Sequence, residues 1–418
     1  MDSPAADGGI DGTATDGPPD APGSDGPAPC PGSTVRCGTA CIDPSSDRQH
    51  CGATPGCGTA GGSAGVVCSG SRACSSLVVQ TRYFATVGAP KGVVVADLNG
   101  DGRADLAVAD GAASVLLGRG DGTFQDAQSF PADVFAQSIA AGDLNGDGKI
   151  DLVLGNSGSA DVSVLLGNGD GTFQAHKDFA VGAKPYAVAL ADFSGDGKLD
   201  IAVACGGSQS AYVLLGRGDG TFTMDVQIPF SEQDFQLDVV SIAAGDLNGD
   251  GKADFVMNNN TTVDVVLGNG DGSFKATQPI DRNDGGALAI GDVDGDGQVE
   301  ILTSALFGAV LIKRNASGMF VPVLMVELGD TANSLAFADV NGDGKLDVVA
   351  TNFFSVAVRL GNGDGTFKPT QQFGGGNFAG SVVVRDLDGN GQPDFVISDS
   401  GGTRVQVILS STGPFACR

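Results

Sequence analysis

One nine-residue element recurs seven times and constrains this chain more than any other feature. Its first copy reads Asp97-Leu-Asn99-Gly-Asp101-Gly-Arg103-Ala-Asp105, and it returns at Asp143, Asp192, Asp246, Asp292, Asp339 and Asp386. The offsets are 46, 49, 54, 46, 47 and 47 residues. A second element, Leu117-Gly-Arg-Gly-Asp121-Gly-Thr-Phe124, follows most copies, around Asp170, Asp219, Asp271 and Asp364. In the fifth unit it decays to Asn315-Ala-Ser-Gly-Met-Phe320. Between these turns lie short alternating or apolar runs such as Asp105-Leu-Ala-Val-Ala, which read as β-strands. About four strands per repeat, seven times over, predicts an all-β, seven-bladed β-propeller of four-stranded blades. A β-helix would need much shorter coils, and an open solenoid would need capping units.

The chain ends fit a closed ring. Residues 80–87 read as the fourth strand of a unit that lacks its first three, and the last unit, from Val382 to Phe415, stops after its third strand. The N-terminal strand is therefore expected to complete the C-terminal blade, removing exposed edges. That register brings Cys74 near Cys417 and predicts a disulfide between them, worth on the order of 4–5 kcal/mol at most in a chain-entropy picture. Cys205 is left single and reads as a buried apolar residue.

Upstream of the repeats, two segments are expected. Residues 1–29 are Asp, Pro, Gly, Ala and Ser without Lys or Arg, a disordered acidic linker. Residues 30–77 hold Cys30, Cys37, Cys41, Cys51, Cys57, Cys68 and Cys74. With no CxxC pair and only His50 nearby, a disulfide-rich module is favoured over a zinc site. Such cysteine density points to an extracellular or cell-surface setting. Met1-Asp2-Ser3-Pro4 lacks a basic and apolar leader, so an export signal is expected to have been removed.

The nine-residue loop places oxygen-bearing side chains at positions 1, 3, 5 and 9, with Gly at 4 and 6. Such a turn can wrap a hard cation, with position 7 offering its backbone carbonyl. The expected ligand sets for up to seven Ca²⁺ ions begin with Asp97, Asn99, Asp101, Arg103 and Asp105, then Asp143, Asn145, Asp147, Lys149 and Asp151. The third and fourth are Asp192, Ser194, Asp196, Lys198 and Asp200, and Asp246, Asn248, Asp250, Lys252 and Asp254. The fifth is Asp292, Asp294, Asp296, Gln298 and Glu300. Asp339, Asn341, Asp343, Lys345 and Asp347 form the sixth, and Asp386, Asp388, Asn390, Gln392 and Asp394 the seventh. The Arg, Lys and Gln side chains at position 7 are expected to point outward. An EF-hand would need an acidic ligand at position 12, inside a helix; here Val108, Leu154, Val203, Met257, Thr303, Ala350 and Ile397 stand there, within strand-like runs. Twenty-two of the 50 acidic residues lie in these loops, against 23 basic residues and a net charge of −27. That charge argues against nucleic acid and against adsorption to anionic membranes, and no apolar run is long enough to span a bilayer.

These repeats resemble the FG-GAP or VCBS repeats of bacterial surface proteins, related to the propeller of integrin α subunits, and Phe84-Ala-Thr-Val-Gly88-Ala89-Pro90 matches the motif that names them. The resemblance covers residues 78–418 and implies a calcium-binding propeller. Integrin propellers carry calcium in only some blades, whereas all seven loops here carry the ligand pattern. The run from Cys37 to Gly52 is similar to a small cysteine-rich module of myxobacterial surface proteins and lipoproteins.

In a four-stranded blade the acidic loops (strands 1–2) and Gly-Asp-Gly turns (strands 3–4) share one end. The opposite end, made of 2–3 loops and inter-blade connections, varies between units, and variable loops are where recognition tends to sit. Tyr186, Phe235, Phe354 and Phe378 are the candidate ligand-face residues, with the longest insertion around Ser231 to Gln236. The expected function is non-catalytic recognition or adhesion of a protein or glycan at the cell exterior by a monomeric propeller. A calcium-dependent lectin and a part of a polysaccharide-degrading enzyme are the alternatives. With no Trp, three Tyr and two His in 418 residues, sugar platforms and acid–base catalysts are both scarce. The Arg-Gly-Asp triplets at Arg119 and Arg217 fall inside the repeated turn and read as turn chemistry.

Overall fold

The computed structural model describes residues 35–37, 40–42, 75–231, 241–259, 261–281, 286–374 and 379–414. The expected linker 1–29, nearly all of the cysteine-rich module, Cys74, Cys417, Phe235 and Phe378 lie outside the described residues. Val35–Cys37 and Ala40–Ile42 pair as a two-stranded hairpin in a unit of its own. Among the described residues there are no helices, and none long and apolar enough to cross a membrane.

From Ser75 onward the chain forms seven four-stranded antiparallel sheets. Blade 1 consists of Gly92–Ala96, Asp105–Ala109, Ala113–Leu116 and Gln128–Phe130. Blades 2 to 6 follow at residues 136–180, 185–229, 241–281, 288–327 and 334–374. Blade 7 takes Ala379–Arg385, Asp394–Asp399 and Arg404–Pro414 from the C-terminal region, and its fourth strand is Ser75–Ala85. The first strands of successive blades contact one another all the way round, and blade 7 meets blade 1. The ring is closed, as the repeat count predicts.

The closing strand is longer than the alternation suggests. Pairing runs from Ser75 opposite Pro414 to Ala85 opposite Arg404, so it starts before residue 78 and stops short of Val87. Thr86 then turns away, its N–H bonded to the Thr403 carbonyl and its hydroxyl donating to the Gly88 carbonyl.

Burial follows position in the blade. The second and third strands are almost wholly buried, while the fourth strand of blade 2 is largely exposed. Both faces of the middle strands are covered because each blade is sandwiched between two others. The core is accordingly divided into seven clusters, each built from two adjacent blades; Leu106, Val108 and Leu116 of blade 1, for example, pack on Val396, Val405 and Val407 of blade 7. Each such side chain contributes roughly 1.5–3 kcal/mol on burial. Phenylalanines add an outer seam. Phe124 of blade 1 meets Phe84 of blade 7 edge-on at 5.1 Å, and Phe173 meets Phe130 and Phe222 meets Phe179 at 5.3 Å each. Such pairs contribute about 0.5–1.5 kcal/mol beyond area burial.

Closure makes a prediction. A chain lacking residues 1–86 is expected to melt at least about 5 °C below one lacking only 1–74 and to self-associate through the bared edge of Arg404–Pro414. Equal melting temperatures and a monomeric elution profile would show that the eleven-residue strand is dispensable.

Candidate metal centres

Each acidic loop joins the first two strands of its blade, and its own backbone N–H groups wind it around the position-1 carboxylate. Asp97 Oδ1 accepts from Gly100 N (2.8 Å) and Asp101 N (3.1 Å), and Oδ2 accepts from Gly102 N (2.8 Å). Gly100 and Gly102 have φ of 73° and 80°, the left-handed region that side-chain-bearing residues rarely adopt. The bond from the position-6 N–H to position 1 recurs at Asp143, Asp192, Asp246, Asp292, Asp339 and Asp386. At position 5, Asp101 Oδ1 accepts from Arg103 N (2.9 Å), a bond repeated at Asp147, Asp196, Asp250, Asp296, Asp343 and Asn390.

Position 9 does something different. Asp105 has no exposed surface. Its Oδ2 accepts from Leu98 N inside the loop (2.9 Å), and its Oδ1 accepts from Gly118 N in the turn between strands 3 and 4 (2.7 Å). Asp151, Asp200, Asp254, Asp347 and Asp394 make the same bridge, to Gly167, Gly216, Gly268, Gly361 and Ser410. In blades 1, 2, 3, 4 and 6 the two motifs that repeat in the sequence are thus tied together in space by one buried carboxylate. The residues at position 12 are all buried in second strands, as expected for a propeller and not for an EF-hand.

The position-7 side chains do not simply point outward. The stems of Arg103, Lys149, Lys198, Lys252 and Lys345 lie across Gly120, Gly169, Gly218, Gly270 and Gly363 of the neighbouring turn, where a Cβ would collide with or crowd them. Their charged ends stay at the surface: Lys198 and Lys149 pair with Asp196 and Asp147 at 2.8 and 3.3 Å, and Lys345 donates to the Asn362 carbonyl. The Arg119 and Arg217 turns make the same i to i+4 bond as the Asn168 turn.

A hard cation needs converging oxygens, and the loops supply them unevenly. In the fifth loop Asp292, Asp294 and Glu300, and in the seventh Asp386, Asp388 and Asp394, each bring one carboxylate oxygen within 4.8 Å of the others. The converging positions are 1, 3 and 9; position 5 is turned to the loop backbone. Position 3 is Asn99, Asn145, Asn248 or Asn341 in four of the remaining loops and Ser194 in the third. In the fourth loop the Asn248 amide nitrogen donates to Asp254, and in the seventh Asn390 Nδ2 reaches across to the Ser410 carbonyl. An all-oxygen donor set around paired glycines fits a calcium-class ion.

The fifth loop carries one carboxylate more than the others, and the structure supplies its counter-charge. Lys313, on the third strand, hydrogen-bonds Asp294 and lies 3.7 Å from Glu300 Oε1. It occupies the role that the turn N–H plays in blades 1, 2, 3, 4 and 6, in a unit whose second motif has decayed. Burial alone would lower the Lys313 ammonium, but the Asp294 hydrogen bond and the surrounding carboxylates raise it above the ordinary lysine value. That lysine offsets the extra carboxylate in a loop whose position 7 is the uncharged Gln298.

At the opposite end, Phe354 sits on the tip of the 2–3 hairpin of blade 6 and is 66% exposed. Tyr186 is half-buried among the core residues between blades 3 and 4, at a bulge where the register slips between Pro185 and Ala187. Sequence reading passed over Leu306 and Phe307, the exposed two-residue tip between strands 2 and 3 of blade 5. Phe307 and Phe135 have φ of 66° and 60°, outliers for bulky residues. No sequence signal marks that strain. Cys205 is fully buried, and desolvation raises its thiol to about 12, so it behaves as a core side chain.

Fold and loops together define a seven-bladed propeller with a wound acidic loop at the same end of every blade. The chain belongs to the family of FG-GAP-like repeats, whose model matches residues 97–154, 143–203, 192–257, 246–303 and 339–397, spans that include all seven acidic loops. No curated protein is significantly similar to it. Solved structures share the fold. One is a lectin of Agrocybe aegerita, described as recognising non-reducing terminal N-acetylglucosamine (21% identity, TM-score 0.50, covering 78% of this chain and 86% of that one). Another is a streptogramin B lyase (12%, 0.53, 80% and 98%), and a third is Sqt1 of Saccharomyces cerevisiae (11%, 0.52, 79% and 98%). At these identities the likeness is one of fold alone.

Two predictions follow from the position-9 bridge. Asp347→Ala, which leaves the Val340 and Gly361 N–H groups buried without acceptors, is expected to cost about 2–4 kcal/mol even in excess chelator. A loss below about 1 kcal/mol in denaturant titration would show that the bridge is not structural. The second concerns pH. Burial raises the position-9 carboxyls, against the pull of their backbone N–H bonds, and brings Asp347 and Asp394 to about 6 from 3.8. The native state then binds extra protons, so this contribution favours folding at low pH and is lost as pH rises through about 6. The turn carboxylates Asp121, Asp170, Asp219, Asp271 and Asp364 are held low by hydroxyl and backbone donors, and their contribution changes only below 3.8. The metal-free melting temperature should therefore rise as pH falls from 7 to 5; a fall across that window would contradict the assignment.

Proposed function

We propose that this chain is a non-catalytic, calcium-stabilised recognition module that acts outside the cell and binds a protein ligand through the end of the propeller opposite the acidic loops. The observation that carries the reading is the set of apolar tips at that end. Phe354 is 66%, Phe307 63% and Phe135 65% exposed, on hairpins and connections that bear none of the repeated motifs. Large apolar side chains held out on loop tips offer a partner apolar surface to bury. Calcium is supported by the wound loops, their all-oxygen donors and the like charge they concentrate. Extracellular placement is supported by the cysteine density of residues 30–74.

A calcium-dependent lectin is the second reading, favoured by the likeness to the Agrocybe aegerita lectin. It stands behind the first because the chain has no Trp and three Tyr, and flat aromatic platforms usually face sugars.

One set of measurements addresses both parts. With free Ca²⁺ at about 100 times Kd each loop would gain about 2.7 kcal/mol, so chelator should lower the melting temperature by more than about 10 °C; an unchanged melt removes calcium. Calcium-loaded protein is then screened against a displayed peptide library and a glycan array, beside Phe307→Ala/Phe354→Ala. The expected result is a peptide hit weakened at least about tenfold in the variant with an unchanged melting temperature. Full binding by the variant would move recognition off this end, and glycan hits alone would favour the lectin.

A further inference from the structure

Strand register shows that one lysine stands where the other blades place a leucine. In blade 1 the residue after position 9, Leu106, pairs with Leu116, and Leu117 comes next. The same register puts Leu166, Leu215, Leu267, Leu360 and Leu409 at that place in blades 2, 3, 4, 6 and 7. In blade 5, Ile301 pairs with Ile312, and Lys313 comes next. Leu117, Leu166 and Leu409 lie against turn glycines of the following blade, Gly171, Gly220 and Gly122, and Lys313 lies against Gly365 in the same way. The lysine thus keeps the backbone position and the neighbour of the leucines. It differs by an ammonium that ends in the acidic loop of its own blade.

That ammonium meets the oxygens a metal ion would need. Lys313 Nζ donates to Asp294 Oδ2 at position 3 and lies 3.7 Å from Glu300 Oε1 at position 9. These are two of the three groups whose oxygens converge in the fifth loop. Glu300 Oε2 is held by Val293 N (2.9 Å), which leaves Oε1 to face the cation. Elsewhere the loops meet cations at position 5, in the pairs Arg103–Asp101, Lys149–Asp147, Lys198–Asp196 and Lys275–Asp250. The seventh loop supplies the contrast. Its Asp386, Asp388 and Asp394 converge as the fifth loop's carboxylates do, but Leu409 stands in the place of the lysine. An ammonium and a divalent ion cannot share one set of oxygens, because their like charges repel and screening is weak where the groups are mostly buried.

We infer that the Lys313 ammonium stands in the place of an ion in the fifth loop, so that this loop takes no calcium and the ring takes at most six ions. The inference rests on the calcium reading of the other loops. Blade 5 then carries its own counter-charge, and its acidic loop stays wound whether or not calcium is supplied. The ammonium is tethered to the third strand, so it links that strand to the loop as the turn N–H of Gly118 does for Asp105 in blade 1.

The test uses the full chain and Ca²⁺ alone. Equilibrium dialysis with metal analysis should find one ion more per chain in Lys313→Leu than in the unaltered protein. Asp294→Asn should leave the ion count unchanged, while Asp388→Asn in the seventh loop should weaken one ion by about tenfold or more. Hydrogen exchange on the unaltered protein needs no variant to fold. Adding Ca²⁺ should slow exchange across residues 386–394 by at least about tenfold and leave residues 292–300 unchanged. Equal counts in the unaltered protein and Lys313→Leu, an ion lost in Asp294→Asn, or slowed exchange across 292–300 would overturn the inference while leaving calcium in the other loops. No ion in any of these proteins would overturn it together with the calcium reading.

Discussion

A buried carboxylate with one oxygen on each of two turns organises one end of five of the seven blades. Asp105 illustrates the balance of forces: taking a carboxylate out of water is costly, and only good hydrogen bonds offset it. Two backbone N–H groups at 2.9 and 2.7 Å provide them. Those donors also need acceptors, because turn N–H groups buried between blades have no water to bond. The pairing solves both problems together and fixes the distance between the first and second motifs. Where the second motif decays, in blade 5, the longer Glu300 and the Lys313 ammonium take over. That a substitution in one motif is met by a charge from the other strand shows the linkage to be a physical requirement of the blade.

The same end also locks blade to blade. In the turn of blade 2, a Cβ on Gly171 would strike Leu117 of blade 1, and Gly122 of blade 1 stands equally close to Leu409 of blade 7. Gly171 N donates to the Leu98 carbonyl of the preceding acidic loop (3.1 Å), and Gly272 N donates to Phe193 in the same way. A turn that must wind left-handed, accept a neighbour's leucine and present an N–H to its own Asp leaves little freedom in sequence. That explains why this end repeats so clearly while the other does not.

Much of the fold was legible for that reason. Seven copies of a motif whose spacing matches four strands specify the blade count, and the unpaired run before Phe84 specifies how the ring closes. Position 9 was legible as an acidic residue, but not as a bridge, because Gly118 lies in a different turn and only the sheet register brings the two together. The lysine stems over the turn glycines were hidden similarly: position 7 reads as a solvated charge, although its aliphatic part is packed. Phe307 gives no sign in the sequence of its left-handed backbone, and Tyr186 gives none of its burial beside a bulge.

The two ends of the ring therefore divide their tasks on physical grounds. At one end, every side chain that varies must still satisfy a neighbour's backbone, so change is confined to replacements such as Asn390, whose amide finds the Ser410 carbonyl. At the other end, hairpin tips such as Leu306–Phe307 and Asn352–Ser355 need only close a turn, as Asn352 does by accepting from Ser355 N at 2.8 Å. Residues there can change without unlocking a blade. Twenty-two acidic loop residues in a chain of net charge −27 also concentrate repulsion at the constrained end, where wound loops with convergent oxygens can relieve it by taking cations. The free end is left with aromatic tips, and a rigid ring holds them at fixed separations.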